Sequence, residues 1–142
     1  MENDKNSIVE AFVKTFIQKH KAQRALWELT HPLKRGSFTN KLNHGWENIF
    51  KMQHLLQVPR EQDDEESIQK LLGFKNTEIC YVISMYYDYD DGFFEFADVF
   101  KDLYWRGFAS VIMNVSATKF FLKTEQVQGA PPKFIGKAPS NF

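Results

Sequence analysis

The sequence has little of several features that define particular kinds of protein. It contains one cysteine, Cys80, which excludes an internal disulfide framework and is typical of a reducing compartment. Apolar neighbours in residues 79–83 predict that this thiol is buried and unreactive. No apolar run approaches the roughly 18 residues that span a bilayer, and the polar start does not resemble a signal peptide. We therefore expect a cytoplasmic protein that does not enter a membrane.

The spacings that bind metals or assemble catalytic groups are missing as well. The seven glycines never cluster into a phosphate-binding loop. The four histidines lie ten to thirteen residues apart and form no zinc pattern with one cysteine. Residues 88–92 resemble a calcium loop only superficially, because Gly92 stands where the third oxygen ligand is required. Ser84 and Ser110 fall on predicted strands without a nucleophile elbow. We predict a protein that is not an enzyme and that uses no metal or cofactor.

The composition that is present favours one compact domain. Hydrophobic residues make up 43% of the 142 residues and aromatic residues 15%, which is too apolar for a disordered chain. Fourteen phenylalanines supply a large apolar area per side chain, so a core built from them can be stable. Some of these rings could instead lie at an interface.

The first half has helical periodicity. Apolar residues at a spacing of three to four predict a long helix over 7–29. Residues 30–32 break the chain, and a second helix is expected over 33–56, with an interruption near Gly45 left open. A short helix over 64–72 follows an acidic link, and its acids favour a helix start.

The second half changes character at about residue 77. The β-branched and aromatic run 77–87 predicts a strand, and 88–92 a turn. Residues 93–107 have helical spacing, and the apolar runs 108–116 and 119–125 predict an antiparallel hairpin.

These elements predict an α+β fold of one domain, residues 1–142. The N-terminal helices would pack on a small mixed sheet with βαββ order, in two layers. Residues 1–75 would be mainly helical, 76–125 would form the strand, helix and hairpin, and 126–142 would be an extended or frayed tail. A strand, a helix and a strand in succession imply a right-handed parallel crossover.

The charge is distributed unevenly although the formal net charge is zero. Residues 11–60 carry nine Lys and Arg and two acids, whereas residues 61–105 carry three bases and twelve acids. Such a division favours docking of the two halves, self-association or a charged partner for one half.

The acidic half carries the first candidate site. Tyrosines interleaved with carboxylates suit the capture of a basic protein, since aromatic rings provide buried anchors and acids steer the encounter. The alternative is a solvated acidic loop at a strand end. The predicted partner-binding residues are Tyr86, Tyr87, Asp88, Tyr89, Asp90, Asp91 and Phe93.

The basic half carries a second candidate, at residues 34–47. On a helical wheel Ser37, Lys41 and His44 share one flank, with Asn40 close by. With Lys34 they could hold a phosphate or carboxylate, or the flank could only hydrogen-bond a neighbouring loop. The alternative anion-binding residues are Lys34, Arg35, Asn40, Lys41 and His44. Further lysines, with Trp27 and Trp46, also permit nucleic-acid binding, although a whole-chain pI near 6.9 is unlike that of a dedicated binder.

Two short segments resemble a set of small uncharacterised bacterial proteins. The set shares a KRxxFxNxLxH segment, matched by residues 34–44, and a CYVxS strand, matched by residues 80–84. An acidic Asp-Gly loop is matched by residues 91–92. The resemblance implies kinship of fold and no activity, because no function is established for the set.

Taken together, these features predict a non-enzymatic protein-interaction module. Its most concrete version is a bacterial immunity protein that binds and occludes a basic toxin. The alternative is a nucleic-acid-binding or regulatory protein that uses the basic helical half.

Overall fold

The computed structural model describes residues 2–139, with side chains from Lys5 onward. Within this range the α-helices are α1 (Glu2–Phe16), α2 (Lys19–Thr30), α3 (Arg35–Gly45), α4 (Glu65–Leu72) and α5 (Phe96–Leu103). The strands are β1 (Leu55–Gln57), β2 (Ile79–Ser84), β3 (Gly92–Glu95), β4 (Ser110–Asn114), β5 (Lys119–Lys123) and β6 (Lys133–Lys137). They form one antiparallel sheet in the order β1-β6-β5-β4-β2-β3. No helix of the described residues is long and apolar enough to cross a membrane.

The α+β class with N-terminal helices packed on a sheet is confirmed. Strand side chains alternate between two faces, as the pleat requires. On one face Tyr81 and Ile83 pack with α1, α2 and α3. On the other, Cys80 and Val82 pack with α4 and α5. Helices thus cover both faces of the sheet, where the sequence predicted two layers, because α4 and α5 each bury an apolar stripe of their own.

The expected parallel crossover and mixed sheet are wrong. Residues 92–95 form β3 and pair with β2 as a hairpin, so the chain has already reversed before α5 begins. Strand β4 then returns antiparallel to β2. The antiparallel hairpin expected from the apolar runs 108–116 and 119–125 is confirmed as β4 and β5.

The long helix expected over 7–29 is divided in two. Helix α1 ends at Phe16, and Ile17 forms a bridge with Phe50. The Gln18 N–H binds the Ile49 carbonyl at 2.8 Å, and the Lys51 N–H binds the Phe16 carbonyl at 2.7 Å. Contacts with a distant segment therefore supply the hydrogen bonds that a continuous helix would have made.

Two further segments differ from expectation. The second helix, expected over 33–56 with or without an interruption near Gly45, ends at Gly45. The chain then continues through short 3-10 turns into β1. The expected tail contains β6, which lies between β1 and β5 and completes the sheet. Residues 140–142 of that tail lie outside the described residues.

Candidate functional site

The turn between β2 and β3 places the predicted acidic site at one end of the sheet. The N–H groups of Tyr89 and Asp90 both bind the Tyr86 carbonyl at 3.0 Å, and the Asp91 N–H binds the Val82 carbonyl at 2.8 Å. The Ser84 hydroxyl accepts from the Tyr86 N–H. Asp91 has a φ of 62°, which a short polar residue tolerates better than a branched one. The turn is therefore fixed by its own backbone.

Asp90 is held by an arginine from the basic half. The Arg35 guanidinium donates from Nε and Nη2 to the two carboxylate oxygens of Asp90, both at 2.8 Å, and from Nη1 to the Leu29 carbonyl. The Arg35 side chain is 7% exposed and that of Asp90 17%. Burial lowers the pKa of Arg35, but the hydrogen bond and negative charge of Asp90 outweigh it, and the pKa is raised above its usual value. This buried pair joins α3 to the turn.

Asp91 is engaged from the same side. The Tyr81 hydroxyl donates to its Oδ1 at 2.6 Å, and the Arg35 Nη1 lies 3.6 Å from the same oxygen. Lys5 approaches the second oxygen at 3.8 Å. Burial raises the pKa of Tyr81, so this hydroxyl remains a donor at neutral pH. The charges of Asp90 and Asp91 are thus matched largely within the chain.

Asp88 and Tyr89 meet an arginine that the sequence did not single out. Arg106 donates to Asp88 at 3.2–3.3 Å and to Asp102 at 2.8 Å. Its guanidinium lies over the rings of Tyr86 and Tyr89, 4.6 and 5.1 Å from their centroids. The Tyr89 hydroxyl donates to Asp102 at 2.5 Å, and this bond, followed by burial, raises the pKa of Tyr89 to about 12. Arg106 therefore orders Tyr86 and Tyr89.

Two aromatic side chains next to this cluster are exposed. Tyr87 is 93% exposed, and Phe108, 46% exposed, packs against Tyr86 with ring centroids 5.7 Å apart. We call Tyr86, Tyr87, Tyr89, Arg106 and Phe108 the aromatic patch. Arg106 and Phe108 were not singled out in the sequence. Both follow α5, whose aromatic residues the sequence pattern assigns to the core.

Trp105, next to Arg106 in the sequence, is an exposed aromatic residue that contacts α4. Its side chain is 72% exposed, and its indole N–H donates to Glu65 at 3.0 Å. Phe93, by contrast, lies opposite Tyr81 in the sheet and is half-buried against its ring, 5.6 Å away. Of the predicted partner-binding residues, Phe93 is therefore the one most committed to packing.

The predicted anion-binding residues are only partly brought together. Asn40, Lys41 and His44 line one shallow cavity of about 340 Å³. Lys34 is exposed beside Trp27, 5.7 Å from the ring centroid. Arg35 is buried and points to the turn, as described above. Asn40, Lys41 and His44 of the predicted set therefore stay together, whereas Lys34 and Arg35 make other contacts.

The groups considered for catalysis do not form a reaction centre among the described residues. The hydroxyls of Ser84 and Ser110 bind each other at 2.8 Å and are buried. His44 approaches Glu125 at 3.3 Å. The Cys80 thiol is buried, and this burial raises its pKa to about 12. Residues 2–139 contain no group of three or more His, Cys, Asp or Glu that could hold a metal.

The fold and the patch define an α+β chain with a preorganised aromatic surface at one end of its sheet. No family model, no curated protein and no solved structure matches the chain. Its function must therefore be inferred from the chemistry of its surface.

Proposed function

We propose that the protein is a non-enzymatic protein-interaction module and that the aromatic patch is its binding surface. Tyrosine and arginine are the residues that most often carry binding energy at the centre of interfaces. The observation that supports the proposal most directly is the exposure of Tyr87, which follows Tyr86 in the chain, and of Phe108, which packs against Tyr86, the ring that Arg106 covers. A side chain 93% exposed, as Tyr87 is, makes little contribution to the fold's own packing.

The ordering of the patch supports the proposal further. Arg106 is fixed by Asp88 and Asp102, and it in turn holds the rings of Tyr86 and Tyr89. A partner that binds this surface does not need to freeze these side chains, so less conformational entropy is lost on association. The buried contacts of Asp90 hold the turn in the same position.

The partner we propose is a basic protein, and the most specific version is a toxin occluded by a bacterial immunity protein. Glu61 and Asp64 are exposed, and Glu65 contacts Trp105 next to the patch. Asp88 keeps a side chain that is 52% exposed. These acids would speed the encounter with a cationic surface, while the aromatic rings would provide the buried contacts.

The experiment compares two exposed aromatic residues of the patch with one exposed apolar residue outside it. The probe is the purified protein encoded by the adjacent reading frame, measured against wild type, Tyr87→Ala with Phe108→Ala, and Leu33→Ala. Leu33 is 96% exposed, lies in the 3-10 turn before α3 and is not a member of the aromatic patch. We expect the double variant to weaken binding at least 100-fold, about 3 kcal/mol, on the basis of typical hot-spot losses. Leu33→Ala should bind as wild type.

Two results would contradict the proposal. The first is unchanged binding by the double variant when circular dichroism shows an intact fold. The second is a gel shift of single-stranded RNA or DNA at low salt that falls steeply as salt rises, because this would favour the alternative nucleic-acid function. That alternative is supported by the exposed cations of α1 and α2, and by Arg24 over the ring of Trp27 at 4.9 Å.

A further inference from the structure

A groove between α2 and α3 lies apart from the aromatic patch and has a different chemistry. Its cavity has a volume of about 250 Å³, and Ala25, Phe38 and Ile49 form an apolar wall. A second cavity of about 340 Å³ shares Lys21, Lys41 and Ile49 with it, so the two form one elongated groove. The groove is wide enough for a small organic molecule.

Glu28 lines this groove and is unusual for a carboxylate. Its side chain is 1% exposed. Its Oε2 accepts from Arg24 at 3.2 Å and from Lys41 at 2.9 Å. Its Oε1 is buried and accepts no hydrogen bond from any residue that the structure describes. A buried carboxylate oxygen without a donor is costly, so a donor from a bound molecule would satisfy it.

The remaining charges of the groove are positive. Lys21, Arg24 and Lys41 surround the single acid Glu28, and His20 lies beside them. The excess of cations favours an anionic group, which Arg24 and the lysines would bind by charge-assisted hydrogen bonds. A molecule that satisfies the whole groove therefore has both an N–H donor and an anionic group.

We propose that this groove binds a nucleoside monophosphate. The N–H edge of the base would donate to the Oε1 of Glu28, and the flat ring would lie against Phe38 and Ile49. The phosphate would bind the cations Lys21, Arg24 and Lys41. An aromatic amino acid also carries a ring, a donor and an anion, but its carboxylate has one negative charge, whereas a phosphate monoester carries about −2 and matches the three cations of the groove better.

The test is isothermal titration of the full chain with guanosine 5′-monophosphate, guanosine and ribose 5-phosphate. The base of the first two carries N–H donors, and the first and third carry the phosphate. We expect the complete nucleotide to bind at least tenfold more tightly than either half. Equal affinity of ribose 5-phosphate and the nucleotide would overturn the role of Glu28. No measurable binding of any probe at millimolar concentration would overturn the proposal as a whole.

Three variants assign the two halves of the ligand. Glu28→Gln replaces the charged acceptor by a neutral amide, whose hydrogen bond is weaker, so it should weaken guanosine binding several-fold. It also leaves more positive charge, so ribose 5-phosphate should bind unchanged or more tightly. Lys21→Gln, at an exposed position, should weaken both phosphate-containing probes and leave guanosine unchanged. Lys14→Gln, exposed on α1 outside the groove, is the matched control and should bind as wild type. Because Lys21→Gln removes no buried group, it tests the site even if Glu28→Gln unfolds. A Lys14→Gln loss equal to that of Lys21→Gln would refute a localised site.

Discussion

Lys123, at the end of β5, gives a stability prediction whose sign depends on pH. The residue is 1% exposed, and its Nζ has no hydrogen-bond partner among the described residues. Its strand neighbours are Ser110 on β4 and Lys133 on β6. Lys133 is neutralised by Asp63, at 2.8 Å, so that acid does not compensate Lys123. Burial, with a smaller contribution from the charge of Lys133, lowers the pKa of Lys123 to about 8.

The magnitude follows from the pKa difference between the folded and unfolded states. The ordinary value is 10.5 and the folded value is about 8, and a difference of this size corresponds to about 3 kcal/mol. The unfolded chain binds the Lys123 proton more tightly than the folded chain. The cost to the free energy of unfolding is therefore fully present below pH 8, and it is relieved as the pH rises from about 8 to 10.5.

The assay is urea unfolding of wild type and Lys123→Met at pH 7 and pH 10. Methionine has a side chain of similar length and removes the charge. We expect Lys123→Met to be more stable than wild type at pH 7, by up to about 3 kcal/mol, and most of this gain to disappear at pH 10. Lys137→Met, on the exposed part of β6, is the control and should show no such pH dependence. If wild type and Lys123→Met change in parallel between the two pH values, the burial argument is wrong.

Two other variants test the contacts that hold the fold together. Arg35→Met leaves Asp90 without its partner, so urea unfolding should show a free energy of unfolding lower by about 3 kcal/mol. The control Arg60→Met, at an exposed position, should change the free energy of unfolding by less than about 0.5 kcal/mol. A decrease of less than about 1 kcal/mol for Arg35→Met would show that the pair does not join the two halves. Gly136→Ala places a Cβ against a phenylalanine ring of β5 and should cost about 1–3 kcal/mol. Gly107→Ala, whose added Cβ meets nothing within 4 Å, should be neutral in the same urea unfolding experiment. Equal effects of the two variants would refute the packing argument.

Some strands could be predicted from the sequence because the residues that favour them are consecutive in the chain. The β-branched and aromatic run that became β2 and the two apolar runs that became β4 and β5 were predicted as strands. Strand β3 was missed because Phe93 and Phe94 continue a helical spacing into α5, and only pairing with β2 makes them extended. The split at Ile17 was missed for the same kind of reason, since its cause is a segment more than thirty residues away.

The ion-pair partners of the candidate site could not be predicted from the sequence either. The acids and tyrosines of residues 86–91 are evident in the sequence, but their partners are not local. Asp90 meets Arg35 from 55 positions upstream, and Asp88 meets Arg106 from 18 positions downstream. Neither pairing has a periodic or spacing signature, so composition suggested a free acidic surface where much of the charge is used within the fold.

This internal pairing changes what the surface can offer a partner. Asp90 and Asp91 are held by Arg35 and Tyr81, so reversing their charge would disturb the fold as well as binding. Asp88 is half-exposed but also pairs with Arg106, so reversing its charge would disturb the aromatic patch as well. The aromatic patch remains free to provide contact area, while the exposed acids before α4 provide long-range attraction. If the acids provide attraction, added salt should slow association with a basic partner. If the patch provides contact area, loss of Tyr87 should accelerate dissociation. Measuring both rate constants therefore separates the contribution of the acids from that of the patch.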